Sequence, residues 1–114
     1  MKMTDEQKQR LEAKSTVGRT VTFKNKGIPG GRTIGTVEDE VALIVSDYKH
    51  LIQKIRFADG ISWDGSPYGY RTGYYTYSYG MKKIVWGQYT QFITGNEYRD
   101  LLTKAKARGW DVFQ

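Results

Sequence analysis

The chain has 114 residues, 39% hydrophobic and 26% charged, with eighteen basic against twelve acidic side chains for a net charge of +6. That length supports one modest core and not a second, and the composition is that of a globular chain, not a disordered one. With no cysteine, thiol catalysis, disulfides and cysteine zinc sites are excluded and a cytoplasmic address is expected, while no apolar run approaches the roughly 20 residues of a membrane helix.

Thr4-Asp5-Glu6-Gln7 is a helix start: Thr4 is the N-cap, Gln7 closes a capping box, and two acids occupy the first turn. The start is polar, without the apolar middle of a secretory signal. The helix is expected to run to about Lys14. Its apolar content is little more than Met3, Leu11 and Ala13, which predicts a peripheral or partner-docking element outside the core.

Arg19 to Lys24 alternates at period two, with Val21 and Phe23 on one face and Thr20, Thr22 and Lys24 on the other, the pattern of a half-buried strand. Asn25 to Arg32 holds three glycines and a proline and reads as a loop. It lacks the lysine, hydroxyl residue and following helix of a P-loop, so nucleotide hydrolysis is not indicated, although its amides and Arg32 can face a phosphodiester. Thr33 to Val37 resumes a strand, Glu38-Asp39-Glu40 reads as an acidic turn, and the apolar run Val41 to Val45 reads as the central strand.

From His50 to Phe57 the chain alternates again. Leu51, Gln53, Ile55 and Phe57 point inward, and His50, Lys54 and Arg56 form a basic stripe with Ile52 on the exposed face. His50 is the only histidine, and nothing at nearby spacing completes a metal site or a triad around it. Ala58-Asp59-Gly60 is a turn, followed by a loop to Pro67 with Trp63 as its buriable anchor. Two further strands, about Gly69 to Tyr79 and Lys82 to Phe92, join as a hairpin at Gly80.

Thr94-Gly95-Asn96-Glu97 is a second capping box. After it Tyr98, Leu101, Leu102 and Ala105 make an apolar stripe, Lys104, Lys106 and Arg108 complement the helix dipole, and Gly109 is a stop. That helix is expected to pack on the sheet, with Trp110, Val112 and Phe113 pinning the tail.

These elements predict an α+β, mainly β fold: a small, strongly bent antiparallel sheet or partly open barrel with an N-terminal helix and a C-terminal amphipathic helix packed on it. Residues 1–16 form the helix and link, and residues 17–114 one barrel-like domain closed by helix 95–108. In strand count and loop placement, about Val17 to Phe92 resembles the SH3-like and Tudor-like barrels, a superfold that by itself implies no function.

Between Tyr68 and Tyr89 lie seven tyrosines and Trp86, and Gly65 to Gly95 contains Arg71, Lys82 and Lys83 and no acid. Ser15 to Val37 is a second acid-free tract, with Arg19, Lys24, Lys26 and Arg32. On a strand, Arg71, Gly73, Tyr75, Tyr77 and Tyr79 share one face, and Tyr70, Thr72, Tyr74, Thr76 and Ser78 the other. Either face can be the exposed one. In the last strand Gln88 lies among Ile84, Trp86 and Phe92, either in a buried hydrogen bond or on a groove floor where Trp86, Gln88 and Tyr89 read a ligand.

Rings beside cations suit single-stranded or distorted DNA or RNA. Lys54, Arg56, Arg71, Lys82, Lys83 and Arg32 are then the phosphate contacts, and Tyr70, Tyr74, Tyr75, Tyr77 and Trp86 the stacking rings. The alternative is an SH3-like interaction module that binds a peptide in an aromatic groove. A third reading is a small catalytic or inhibitory protein of a larger assembly, docked through its first helix. The acids Glu38 to Glu40 followed by Asp47-Tyr48-Lys49 match a short nuclease-like metal pattern, but acidic strand ends account for it as well. The expectation is a non-enzymatic module without cofactor or metal.

Overall fold

The computed structural model describes residues 3–24, 32–58, 65–87 and 92–113. Helix α1 is Asp5–Ala13, strands β1 to β5 are Thr20–Lys24, Arg32–Val45, Tyr48–Phe57, Tyr68–Ser78 and Lys83–Gly87, helix α2 is Gly95–Ala107, and a 3-10 turn spans Asp111–Phe113. The strands form one antiparallel sheet in the order β1-β2-β3-β4-β5, so the fold is mainly β with a helix at each end. Both capping boxes form: Thr4 with Gln7, and Thr94 with Glu97. No helix among the described residues is long and apolar enough to cross a membrane. The expected glycine-rich loop, the Asp59-Gly60 turn, Trp63 and Gln88 to Gln91 lie outside the described residues.

By contacts the chain divides into two compact units. One comprises residues 1–15, 41–52 and 72–114, and the other residues 16–40 and 53–71. In the first, sheet and helices form three layers. Leu101, Ala105 and Trp110 from α2 and its tail pack on Val41 and Ile52, with Leu43 alongside. Met3 and Leu11 pack on Leu51 and Tyr75, flanked by Ala42, Tyr77, Tyr79, Ile84 and Trp86. Because neighbours along a strand point to opposite faces, Val41 against Ala42 and Ile52 against Leu51 put the two helices on opposite sides of the sheet.

Helix α1 is therefore part of the core, contrary to the expectation of a peripheral element. A single residue accounts for the difference: Leu11 is fully buried, and a leucine in that state stabilises by about 1.5–3 kcal/mol. A clip from the sheet adds to it. Lys49 on β3 donates through Nζ to the carbonyls of Glu12 and Lys14. Those lie at the helix's C-terminal end, where unpaired carbonyls favour a cation.

In the second unit β2 runs on through Glu38-Asp39-Glu40, where an acidic turn was expected. The acids find partners there. Glu38 lies 3.6 Å from the Lys54 ammonium and 3.5 Å from the Arg56 guanidinium, and Glu40 accepts from the Thr16 amide and hydroxyl at 3.1 and 2.6 Å. Strand β3, not the Val41 to Val45 segment, is central. Its expected inward residues Gln53, Ile55 and Phe57 are buried, but so is Ile52, which was expected on the exposed face and packs instead under α2. Gly35 gives Ile55 its space, since a Cβ there would come within 2.5 Å of the isoleucine.

The C-terminal tail is only partly pinned: Trp110 is buried, whereas Val112 and Phe113 are exposed. Leu11→Ala tests the role of α1 and is expected to cost about 2–5 kcal/mol through lost burial and a residual cavity. Lys8→Ala on the exposed side should change stability by less than about 0.5 kcal/mol, both read by chemical denaturation.

Candidate functional site

The tyrosine strand divides its rings between the two faces of the sheet. Tyr75 is 2% exposed and meets Trp86 edge-on at 5.1 Å, and Tyr77 meets Tyr79 in the same way at 5.1 Å. The row Tyr75, Tyr77, Tyr79 with Trp86 thus packs beneath α1. Tyr75 has no face open for stacking, and the expectation of an exposed ring there is corrected. The physical reason is the alternation itself: this row meets α1's Leu11, and edge-to-face ring pairs add about 0.5–1.5 kcal/mol to their burial.

On the opposite face Tyr74 faces β3. Tyr48 and His50 lie stacked at 5.9 Å and 25°, the Tyr74 ring stands edge-on to Tyr48 at 5.5 Å and 78°, and His50 lies 6.1 Å from Tyr74. With Phe92, just ahead of α2, these side chains line a cleft of about 310 Å³. Phe92 is 90% exposed and Tyr48 43%. A phenylalanine held this far in water, beside a cleft of rings, is unusual enough to mark a contact surface.

Gly87 makes room for the cleft wall. It is the cross-strand partner of Tyr74, and a Cβ at that position would lie 2.1 Å from the tyrosine's ring carbons. The Tyr74 ring lies across the bare backbone of Gly87, and any side chain there must displace it.

His50 was expected on an exposed stripe, but it is buried, with the rings of Tyr48 and Tyr74 packed beside it. Burial lowers its pKa below the ordinary histidine value, partly offset by the Glu97 carboxylate on α2. The cleft wall is therefore uncharged at neutral pH.

The remaining expected contacts are dispersed. Lys54 has only 14% of its side chain exposed, pairs with Glu38 and sits 4.2 Å above the Tyr68 ring, while Arg56, 62% exposed, shares that glutamate. The Arg71 Nε donates to the buried Gln53 Oε1 at 2.6 Å. Lys82 and Lys83 are exposed at the β4–β5 turn, Tyr70 is exposed on β4, and Arg32 opens β2 with its side chain outside the description. Tyr74, Tyr75, Tyr77, Trp86, Lys82 and Lys83 belong to the first unit; Arg32, Lys54, Arg56, Tyr70 and Arg71 belong to the second.

Sequence reasoning missed Tyr48, Phe92 and Gly87. Tyr48 was legible, standing two residues before His50 and so on its face. The site of Phe92 depends on where α2 begins, and the role of Gly87 on strand register. Among the described residues no group of three or more histidine, cysteine or acidic side chains is placed to hold a metal, and Lys49 of the nuclease-like pattern is committed to α1.

Comparison with known protein families, with curated proteins and with solved structures finds no match to this chain.

Two outcomes are expected. Gly87→Ala should move the Tyr74 ring, read as large shifts of its ring protons in NMR spectra, and cost about 1–3 kcal/mol. The folded-state pKa of His50 lies below its unfolded value of about 6.5, so the unfolded chain binds the proton first. The stability tied to neutral His50 is full above about 6.5 and is lost as pH falls through the folded pKa. His50→Phe should flatten that part of a melting-temperature profile.

Proposed function

We propose that this protein is a small binding module whose ligand site is the aromatic cleft of Tyr48, His50, Tyr74 and Phe92, and that it holds a peptide segment of a partner protein. The observation carrying this reading is the exposure of Phe92 beside two tyrosines on a sheet face. A cleft of about 310 Å³ suits one large side chain, at the lower end of the volumes seen for ligand pockets. Its uncharged wall and short polar inventory favour an apolar or aromatic anchor, as in other grooves that take peptides. Hydrophobic burial is the driving force, with ring-to-ring contact adding to it.

The net charge of +6 favours a second reading, binding of single-stranded or distorted nucleic acid, in which Tyr74 meets a base and Lys82 and Lys83 meet phosphates. Ion pairing of Lys54 and Arg56 with Glu38 and burial of Tyr75 weigh against it, because each removes a contact it needs.

Salt and ring removal separate the two. Peptides selected from a displayed library on the intact protein are expected to lose about tenfold or more in affinity with Tyr48→Ala or Phe92→Ala. They should change by only a few-fold between about 50 and 200 mM salt, whereas a nucleic-acid complex with several phosphate contacts loses orders of magnitude over that range. Retention of a thymidine oligomer with that steep salt slope, together with no selected peptide sensitive to the two alanines, would reverse the order of the readings.

A further inference from the structure

We infer that the segment held by the cleft is extended and acidic: it seats an aromatic side chain among Tyr48, His50, Tyr74 and Phe92 and brings a carboxylate to Lys83, about four residues away. This inference rests on the cleft being a peptide site and adds the chemistry and register of the peptide.

Strand β5 supplies the geometry. Ile84 and Trp86 pack on the α1 side, so Lys83, Val85 and Gly87 point to the other face, where Gly87 lies under the Tyr74 ring. In register Tyr74 pairs with Gly87, Thr76 with Val85 and Ser78 with Lys83. Lys83 therefore rises from the same face as the cleft, at the end of the hairpin near which Asp47 lies. Lys83 is four residues along the strand, about 14 Å at about 3.4 Å per residue. An extended peptide covers that distance in about four residues and points side chains four apart to the same side.

Charge sets the order of the peptide. At the cleft end Glu97 acts on His50, and its carboxylate accepts from the Thr94 amide at 3.1 Å at the head of α2. An acid placed beside the anchor would meet that carboxylate. At the far end Lys82 and Lys83 are exposed, two cations against one acid, Asp47 of the β2–β3 turn, whose charge acts on Tyr79. The distance between the ends exceeds the Debye length of about 8 Å at physiological salt, so each end is read by its own charges. Between them Thr76 is occupied, its hydroxyl donating to the Asp47 carbonyl at 2.9 Å, and Val85 is half-buried. The middle of the groove thus offers little to a charged side chain.

The probe is a blocked peptide with one tryptophan, an aspartate four residues to either side of it, and serines elsewhere, titrated calorimetrically against the full chain. The control has the same composition with both aspartates beside the tryptophan. The spaced peptide is expected to bind more tightly than the control, by about threefold or more for one exposed charge contact. Lys83→Gln should erase that difference, and Tyr48→Ala should weaken both peptides by about tenfold, with circular dichroism establishing that each variant is folded. Equal binding of the two peptides, still sensitive to Tyr48→Ala, overturns the acidic register and leaves the aromatic cleft as a peptide site. Binding of neither peptide in a Tyr48-dependent way overturns both. A thymidine oligomer that binds more tightly than the spaced peptide and displaces it also overturns the inference, in favour of a nucleic acid on this face.

Discussion

The seating of α1 on the sheet is the interaction on which the rest depends. Leu11 and Met3 meet Leu51 and Tyr75, and Lys49 holds the helix end by its carbonyls. A buried ammonium is costly unless it is hydrogen-bonded, and here two carbonyls at the end of a helix accept from it with the favourable sign of the helix dipole. Lys49 and the helix end thus satisfy one another. Once α1 is in place, the row Tyr75, Tyr77, Tyr79 is covered, and Tyr74 is left as the β4 tyrosine in the cleft on the other face.

That division gives an abundance of tyrosine two separate uses. Rings under α1 serve as large core pieces, paired edge-on with Trp86 and with one another. Tyr74, next in sequence to the most deeply buried of them, stands instead with Tyr48 and His50 at an open cleft. A period of two is enough to separate structure from recognition by one residue. Glycine completes the arrangement, because Gly87 gives Tyr74 a flat place to lie, and a ring held over bare backbone is fixed in position without a hydrogen bond.

Charge follows a similar logic. Arg71, Lys54 and Arg56 were expected to face phosphates, yet Arg71 spends its Nε on Gln53, while Lys54 and Arg56, in a stretch of β3 without acids, answer to Glu38 on β2. Acid-free in sequence is not acid-free in space, since a sheet brings residues fifteen or more positions apart side by side. What persists as exposed charge in the first unit's hairpin is Lys82 and Lys83, and their position on the strand that carries Gly87 gives them meaning beyond a general attraction for polyanions.

Local signals settled the helices and most strand positions. Thr4 with Gln7 and Thr94 with Glu97 marked both helix starts because a capping box is a contact between residues three apart, and the alternation of Leu51, Gln53, Ile55 and Phe57 marked one face of β3 because side-chain direction follows from strand geometry alone. That Ile52 on the other face is covered as well was not legible there. Tertiary structure decided which tyrosine row was covered, that α1 joined the core, that Glu38 paired with Lys54 and Arg56, and that Phe92 came to line one cleft with Tyr48, His50 and Tyr74. Each of these depends on which distant segment lies alongside, a matter of register and layer order. Periodicity tells a residue's face but not what the fold lays against it.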